Sequence, residues 1–472
     1  MTDKKYKRLW SNTASVAVGT LGSKLLMYLL VRFYTEVLTN EQYSIASNIT
    51  ETAALIIPIV SLGIGEAIFR FSLDEAYDKK GVFTSGICVS LCGFTALLIL
   101  SPLLFLTSYF KDYVFIIAIY VVSSITHTVC SQFIRGLNMY RLYALQGLVN
   151  TLFTVGYNLL FLIPLKMGIY GYVLAIAAAD ISASLFIIIA AKLYRYIDVK
   201  RVEKSTVRSM LIFALPLIPT TISWWITNVS DRFLVTYFKG DAANGIYAAS
   251  YKIPTLLTVL VGIFNNAWKY SASSEEGSED EASFVSSIGD FFTSAMFLVS
   301  SALILFSNLI AKIMFSSDFY EARVYIPVLT AAMLFSSLAS FAGTIFISHK
   351  KSSYSLVTSV IPALVNIILN IILIPLFDGR FAAMGAAIAT LVSYMLMYLL
   401  KALASKKLLN YKLGLPRVLI FSVILFISAA FMSIGGAYSY AVSAVCLVLT
   451  AIIGAPSLLK GVMPILRRLR RR

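Results

Sequence analysis

Eight ionisable side chains sit inside or at the edge of apolar runs, where an uncompensated charge costs roughly 3 kcal/mol or more. Lys24, Arg32, Arg232 and Lys252 are cationic, Glu51, Asp180 and Asp231 are carboxylic, and His127 stands between two threonines. Lysine offers a compact point charge and arginine a bidentate fork, and the two together suit a phosphate or diphosphate. A carboxylate or imidazole in the same surroundings can carry a proton or hold a cation. At about 1.5 Å of helix rise per residue, Lys24 lies ~20 Å into its apolar run, Asp180 ~16 Å into its own, and Glu51 and Lys252 ~12 Å from the ends of theirs. Arg32, Asp231 and Arg232 lie nearer the ends. Leaving out Asp180 and His127, the other six hold four positive charges and two negative ones. A single cavity lined by them would be net cationic, with Asn48, Asn228 and the Trp224-Trp225 pair beside it. A second reading stays open for each. Arg32 and Arg232 would snorkel to the interface, Lys24 or Lys252 would pair with Glu51, and Asp180 and His127 would be locally hydrogen-bonded packing residues. Glu66 and Arg70, one turn apart, read as an interfacial pair.

These residues are carried by membrane helices. The chain has 472 residues, 59% hydrophobic and 13% charged, with mean hydropathy +0.83. Its apolar residues come in blocks of roughly 20, the length that spans a bilayer core as a helix. About fourteen blocks start near residues 11, 43, 82, 113, 141, 169, 207, 244, 286, 324, 354, 382, 415 and 440; they are numbered span 1 to span 14. The fold expected is all-α and integral to the membrane, with short connections and no extramembrane domain.

A net charge of +16 invites a nucleic-acid reading, which the charge distribution excludes. With the N-terminus inside, about 29 of the 39 Lys and Arg fall in inward loops and tails, about 6 in outward loops and four within spans. This positive-inside bias places both termini in the cytoplasm. The basic start MTDKKYKRLW leads into a retained first helix rather than a cleaved leader. The Arg-rich tail from Arg467 faces anionic lipid. Residues 271–283 (SASSEEGSEDEAS) break the pattern, being inward yet acidic. Cys88, Cys92, Cys130 and Cys446 lie in apolar blocks and read as small buried hydrophobes. No metal-ligand spacing, nucleotide loop or nucleophile motif occurs, so neither a cofactor nor covalent catalysis is expected.

The chain also repeats itself. RFYTEVLTNEQYSIASNI from Arg32 and RFLVTYFKGDAANGIYAASYKI from Arg232 each leave one span through Arg-Phe and enter the next through Tyr. Further on, Phe133-Ile134 leads through Asn158 to Ile163-Pro164-Leu165, and Phe346-Ile347 leads through Asn370 to Ile374-Pro375-Leu376. Two six-helix lobes related by duplication follow, residues 1–206 and 207–404, with two extra helices and a basic tail in 405–472. Duplicated lobes in a membrane can rock about a shared site.

Three motifs carry a family resemblance over about residues 6–460. They are Asp231-Arg232 through Gly245-Ile246-Tyr247 to Lys252-Ile253; Asn366 and Asn370 followed by Leu373-Ile374-Pro375; and the small-residue run Gly385–Thr390. With them the chain resembles the polysaccharide-transporter, O-unit flippase-like branch of the multidrug/oligosaccharidyl-lipid/polysaccharide flippase superfamily. The resemblance implies a bacterial inner-membrane flippase, not an enzyme. It would carry a polyprenyl-diphosphate-linked oligosaccharide (O-antigen, capsule, exopolysaccharide or teichuronic-type) to the outer leaflet by alternating access. It implies a cationic cavity lined partly by spans 1, 2, 7 and 8, where Lys24, Arg32, Arg232 and Lys252 would bind substrate. Glu51, Asp180, Asp231 and His127 are the ion-coupling candidates. Expected partners are the lipid-linked substrate, the bilayer, and a polysaccharide polymerase and glycosyltransferases. Two alternatives share the architecture. Lipid II flippases carry more arginine in the cavity and also have spans 13 and 14. Drug antiporters usually have twelve spans and would want an acidic cavity.

Overall fold

The computed structural model describes Tyr28 and residues 30–102, 109–274, 281–349, 352–412 and 414–469. Lys24 and nearly all of span 1, the middle of the acidic loop and the end of the basic tail lie outside the described residues. Among the described residues there is no strand, and twelve helical stretches are long and apolar enough to cross a membrane. The longest, Lys204–Ser250, runs for 47 residues and contains a break at Gly240 (φ +83°, ψ 171°). It therefore carries both span 7 and the start of span 8. Packing divides the chain into two compact units, one ending at Trp225 and the other starting at Ile226.

In the first unit, α1 (Asn40–Val60) begins at a reciprocal cap. Thr39 Oγ1 accepts the Gln42 N–H and Gln42 Oε1 accepts the Thr39 N–H, each at 3.2 Å, which satisfies two donors that a helix start leaves open. Gly63, at φ +65°, turns the chain into α2 (Ile64–Leu73). There Arg70 pairs with Asp74 at 3.9 Å rather than with the expected Glu66. Then follow α3 (Lys79–Leu100), α4 (Val114–Gly136), α5 (Tyr140–Leu162), α6 (Gly168–Ala190) and α7 (Lys204–Ala214). The central helix is α4, whose Ile117, Val121, Phe133 and Ile134 are fully buried. Alanines 175, 177, 179 and 183 of α6 are equally buried, and their small side chains let the helices approach closely.

The next helix, α8 (Leu217–Ser250), begins in the first unit and runs on into the second, where α9 (Leu256–Ser274), α10 (Glu281–Met314), α11 (Ile326–Ser348), α12 (Ser352–Leu373) and α13 (Met384–Leu409) follow. The C-terminal α14 (Leu415–Ile434) and α15 (Ser439–Leu469) pack on α10 and α11. The apolar window of α11 is 83% buried. Stacked rings tie α9, α10 and α11 together: Trp268 lies 5.1 Å from Phe341, Phe264 4.4 Å from Phe292, and Trp268 Nε1 donates to Thr344 Oγ1 at 2.7 Å. At one end of the acidic loop, Glu281 stands 3.5 Å from His349.

The repeat seen in the sequence has a structural counterpart. Phe133 and Phe346 are both fully buried, as are Asn158 and Asn370. Each asparagine donates from Nδ2 to the carbonyl four residues back, Asn158 to Thr154 at 2.7 Å and Asn370 to Asn366 at 2.9 Å.

Two predictions follow from the packing. A Cβ on Gly385 would stand 2.3 Å from the Leu373 carbonyl oxygen, so Gly385→Ala must push α13 off the end of α12. Overpacking of this kind costs about 1–3 kcal/mol, to be read as a lower thermal midpoint in detergent. An unchanged midpoint would show that the two helices separate freely. Asp78 caps α3 through the Gly81 N–H at 3.1 Å and pairs with Arg201 at 3.3 Å. Burial alone would lift the Asp78 carboxyl, but the Gly81 N–H and the Arg201 guanidinium outweigh it and hold the group below its ordinary range. A carboxyl lowered on folding stabilises fully above its unfolded value, and that stabilisation fades as pH falls through the folded one. The clip is therefore complete at neutral pH and weakens only below the ordinary carboxylate range, about pH 4. Asp78→Ala should cost about 1 kcal/mol at pH 7 and progressively less as pH falls below about 4, a trend that paired thermal scans would reveal.

Candidate functional site

Each unit builds a buried polar centre around one aspartate. In the first unit, Asp180 lies midway along α6 and is 7% exposed. Its Oδ2 accepts from Ser124 Oγ at 2.7 Å, and its Oδ1 accepts from Asn150 Nδ2 at 2.9 Å. His127 Nδ1 lies 3.5 Å from Oδ1, and His127 Nε2 lies 2.7 Å from Gln146 Oε1. Spacing on the helices positions these groups. Ser124 and His127 are three apart on α4, and Gln146 and Asn150 four apart on α5, so each pair shares a face. Tyr120 hydrogen-bonds to Ser124 and lies within electrostatic reach of both Asp180 and Glu51. The arrangement can take up a proton without moving the backbone. With the Gln146 oxygen facing Nε2, the histidine carries a proton there and a second proton fits between Nδ1 and Asp180. With the Gln146 amide turned over, Nε2 accepts and a neutral histidine donates from Nδ1.

In the second unit, Asp231 is 1% exposed. Its Oδ2 accepts from Tyr247 OH at 2.8 Å, Tyr251 OH at 2.5 Å and Thr390 Oγ1 at 3.3 Å, and its Oδ1 accepts the Arg232 N–H at 2.9 Å. The Arg232 guanidinium lies 5.0 Å over the Tyr251 ring, a cation–π distance. Nearby, Tyr394 OH donates to Asn228 Oδ1. The break at Gly240 turns the chain back so that Tyr247 and Tyr251 reach Asp231, and α13 supplies Thr390 and Tyr394. The positive φ of Gly240 suits glycine, which has no Cβ to clash.

Of the remaining expected site residues, Lys24 lies outside the described residues. Arg32 is bound to Glu36 at 2.6 Å, and both side chains are about half exposed. The backbone carbonyl of Glu51 accepts the Trp225 indole N–H at 2.8 Å. Lys252 is half-buried, and among the described residues its ammonium meets no carboxylate. Sequence reading overlooked Ser124, Gln146 and Asn150 around Asp180, and Tyr247, Tyr251 and Thr390 around Asp231. The first set had a legible signal, polar residues at helical spacing inside apolar spans. In the second, Tyr247 and Tyr251 lie only 16 and 20 positions from Asp231, but Thr390 lies 159 away and had no signal.

A family model described as polysaccharide biosynthesis protein matches residues 9–269, more than half of the chain. The chain belongs to the polysaccharide biosynthesis protein family. No curated protein matches it. Solved structures share its fold. An inward-facing multidrug resistance MATE family transporter of the MOP superfamily aligns with TM-score 0.67 at 14% identity, covering 83% of this chain and 98% of that one. The lipid II flippase MurJ in an inward closed conformation aligns with TM-score 0.67 at 15% identity, covering 95% and 99%. A MOP superfamily transporter from Pyrococcus furiosus aligns with TM-score 0.59 at 14% identity, covering 85% and 95%. This member of the polysaccharide biosynthesis family is thus a multi-pass membrane protein with the fold of MOP superfamily transporters, flippase-like in architecture.

Asp231 provides a direct test of the second centre. Asp231→Ala leaves the buried hydroxyls of Tyr247, Tyr251 and Thr390 and the Arg232 backbone N–H without their acceptor, at about 1–3 kcal/mol for a buried polar group left unpaired. Asp231→Asn keeps one carbonyl acceptor and should lose clearly less. Thermal unfolding in detergent separates the two; equal midpoints for wild type and Asp231→Ala would show that the centre carries no such load.

Proposed function

We propose that this protein carries a polyprenyl-diphosphate-linked oligosaccharide from the inner to the outer leaflet of the bacterial plasma membrane by alternating access. The family match carries this reading. The physics agrees with it. A bare diphosphate and many sugar hydroxyls cannot cross hydrocarbon unaided, while the prenyl tail can stay in lipid throughout. Lys24, Arg32, Arg232 and Lys252 are assigned to the diphosphate. Lys252 is the leading member, being half-buried and, among the described residues, meeting no carboxylate. The exposed Arg32–Glu36 pair is worth little, so Arg32 can exchange Glu36 for phosphate at small cost. Asp180 with His127 is assigned to proton coupling, with Glu51 and Asp231 as further coupling groups. A polysaccharide polymerase and glycosyltransferases would stand on either side of the transport step.

A lipid II cargo is the second reading. It is favoured by the likeness to MurJ, which extends over 95% of this chain. The wider coverage than that of the MATE transporter, 83%, speaks against the drug-antiporter reading.

The deciding experiment measures lipid-linked saccharide pools in cells lacking the gene. The expected result is accumulation of polyprenyl-diphosphate-linked oligosaccharide on the cytoplasmic face and loss of surface polysaccharide. Accumulation of lipid II instead would favour the second reading. An unchanged pool with new sensitivity to cationic dyes would overturn both. Complementation with Lys252→Ala should restore less than a tenth of wild-type surface polysaccharide. Asp180→Asn should fold normally yet abolish the dependence of transport on a proton gradient.

A further inference from the structure

The first unit holds a cavity of about 270 Å³ that neither aspartate centre uses. It lies between α3, α4 and the chain that follows α6. Its lining includes the buried Val129 and Cys130, Phe83, Phe94 and Ile188, and Tyr194, which is 56% exposed and so marks its open side. Three hydroxyl-bearing residues border it: the exposed Tyr194, and Ser90 and Thr126, which donate inside their own helices. Ser90 Oγ donates to the Gly86 carbonyl at 2.9 Å, and Thr126 Oγ1 to the Val122 carbonyl at 2.8 Å. The cavity thus offers an occupant almost entirely carbon surface and few groups to hold a water. The lobe surface around its opening is apolar as well, with Leu91, Ile189 and Ile197 exposed by half or more.

The rim differs. Arg195 places its guanidinium 5.9 Å over the ring of Tyr194, at the mouth. Lys192 is exposed beside it. Among the described residues neither side chain meets a carboxylate. Asp198, three positions beyond Arg195, is already occupied, since it and Asp78 both bind Arg201, at 3.2 and 3.3 Å. The segment is held firmly. Thr84 Oγ1 donates to the Tyr196 carbonyl at 3.2 Å and accepts the Asp198 N–H at 2.9 Å.

An apolar pocket opening on the lipid face, with two uncompensated cations at its rim, complements one molecule in particular. The geometry points to a binding site for an anionic phospholipid, with one acyl chain in the cavity and the phosphate on Lys192 and Arg195. The charge bias of the loops puts this rim at the cytoplasmic leaflet. An acyl chain entering the cavity exchanges hydrocarbon for hydrocarbon, so the cavity contributes fit and little driving force. Selection rests on the rim, where two basic residues near an anionic surface give a preference on the order of tenfold to thirtyfold. The site is independent of what the protein transports.

The test uses full-length protein in nanodiscs with a trace of phosphatidylglycerol or phosphatidylcholine carrying a photoreactive group on one acyl chain. The expected result is labelling of peptides 83–94 and 126–130, at least tenfold stronger from phosphatidylglycerol, and reduced to the phosphatidylcholine level by Lys192→Glu with Arg195→Glu. Both positions are exposed, and an unchanged thermal midpoint would show that the double variant is folded. Equal labelling from the two lipids, or labelling spread evenly over all lipid-facing helices, would overturn the proposal. Displacement of the label by polyprenyl phosphate, and not by unlabelled phosphatidylglycerol, would overturn it in favour of the cargo's tail.

Discussion

A carboxylate inside hydrocarbon has no water to solvate it, and its hydrogen bonds must come from neighbouring helices. Asp180 and Asp231 impose this constraint on the two units. Asp180 draws Ser124 and His127 from α4 and Asn150 from α5. Asp231 draws Tyr247 and Tyr251 from beyond the Gly240 break and Thr390 from α13. Apolar packing alone would leave the rotation of these helices loosely set, because lipid is as apolar as leucine. The polar centres fix which face of each helix turns inward.

The duplicated lobes have kept their frame and diverged in their chemistry. The back-bonded asparagines Asn158 and Asn370 and the buried Phe133 and Phe346 hold matching places. The aspartates do not match. The residue before Arg-Phe is Val31 in the first copy and Asp231 in the second, and the first unit carries its acid on α6 instead. Their surroundings differ accordingly. Asp180 faces an imidazole that can gain a proton, whereas Asp231 is surrounded by hydroxyls and a backbone N–H, with a fixed cation next to it in the chain.

Small residues and chain breaks make these centres possible. Gly240 reverses α8 so that one long apolar run becomes two arms meeting at Asp231. Gly385 lets the start of α13 lie against the end of α12, closer than any side chain would allow. Neither position touches an aspartate, yet each decides whether the groups that do can arrive.

The membrane class, the all-helical fold, the repeat and the positions of the charged residues were legible in the sequence. Each is a property of local composition or of spacing along one helix, and the cost of burying charge and unpaired backbone leaves few other outcomes. Ser124 with His127, and Gln146 with Asn150, were legible in the same way, as polar pairs on one helical face. Arg32 with Glu36 and Arg70 with Asp74 are local i,i+4 pairs, and of these the tertiary structure decided only that Arg70 meets Asp74 rather than the equally spaced Glu66. It alone brought Tyr247, Tyr251 and Thr390 onto Asp231. Thr390 and Asp231 are 159 positions apart, and several tyrosines and threonines could in principle have supplied those hydroxyls. Which of them arrive depends on how α8 bends and how α13 rotates, and no single helix carries that information.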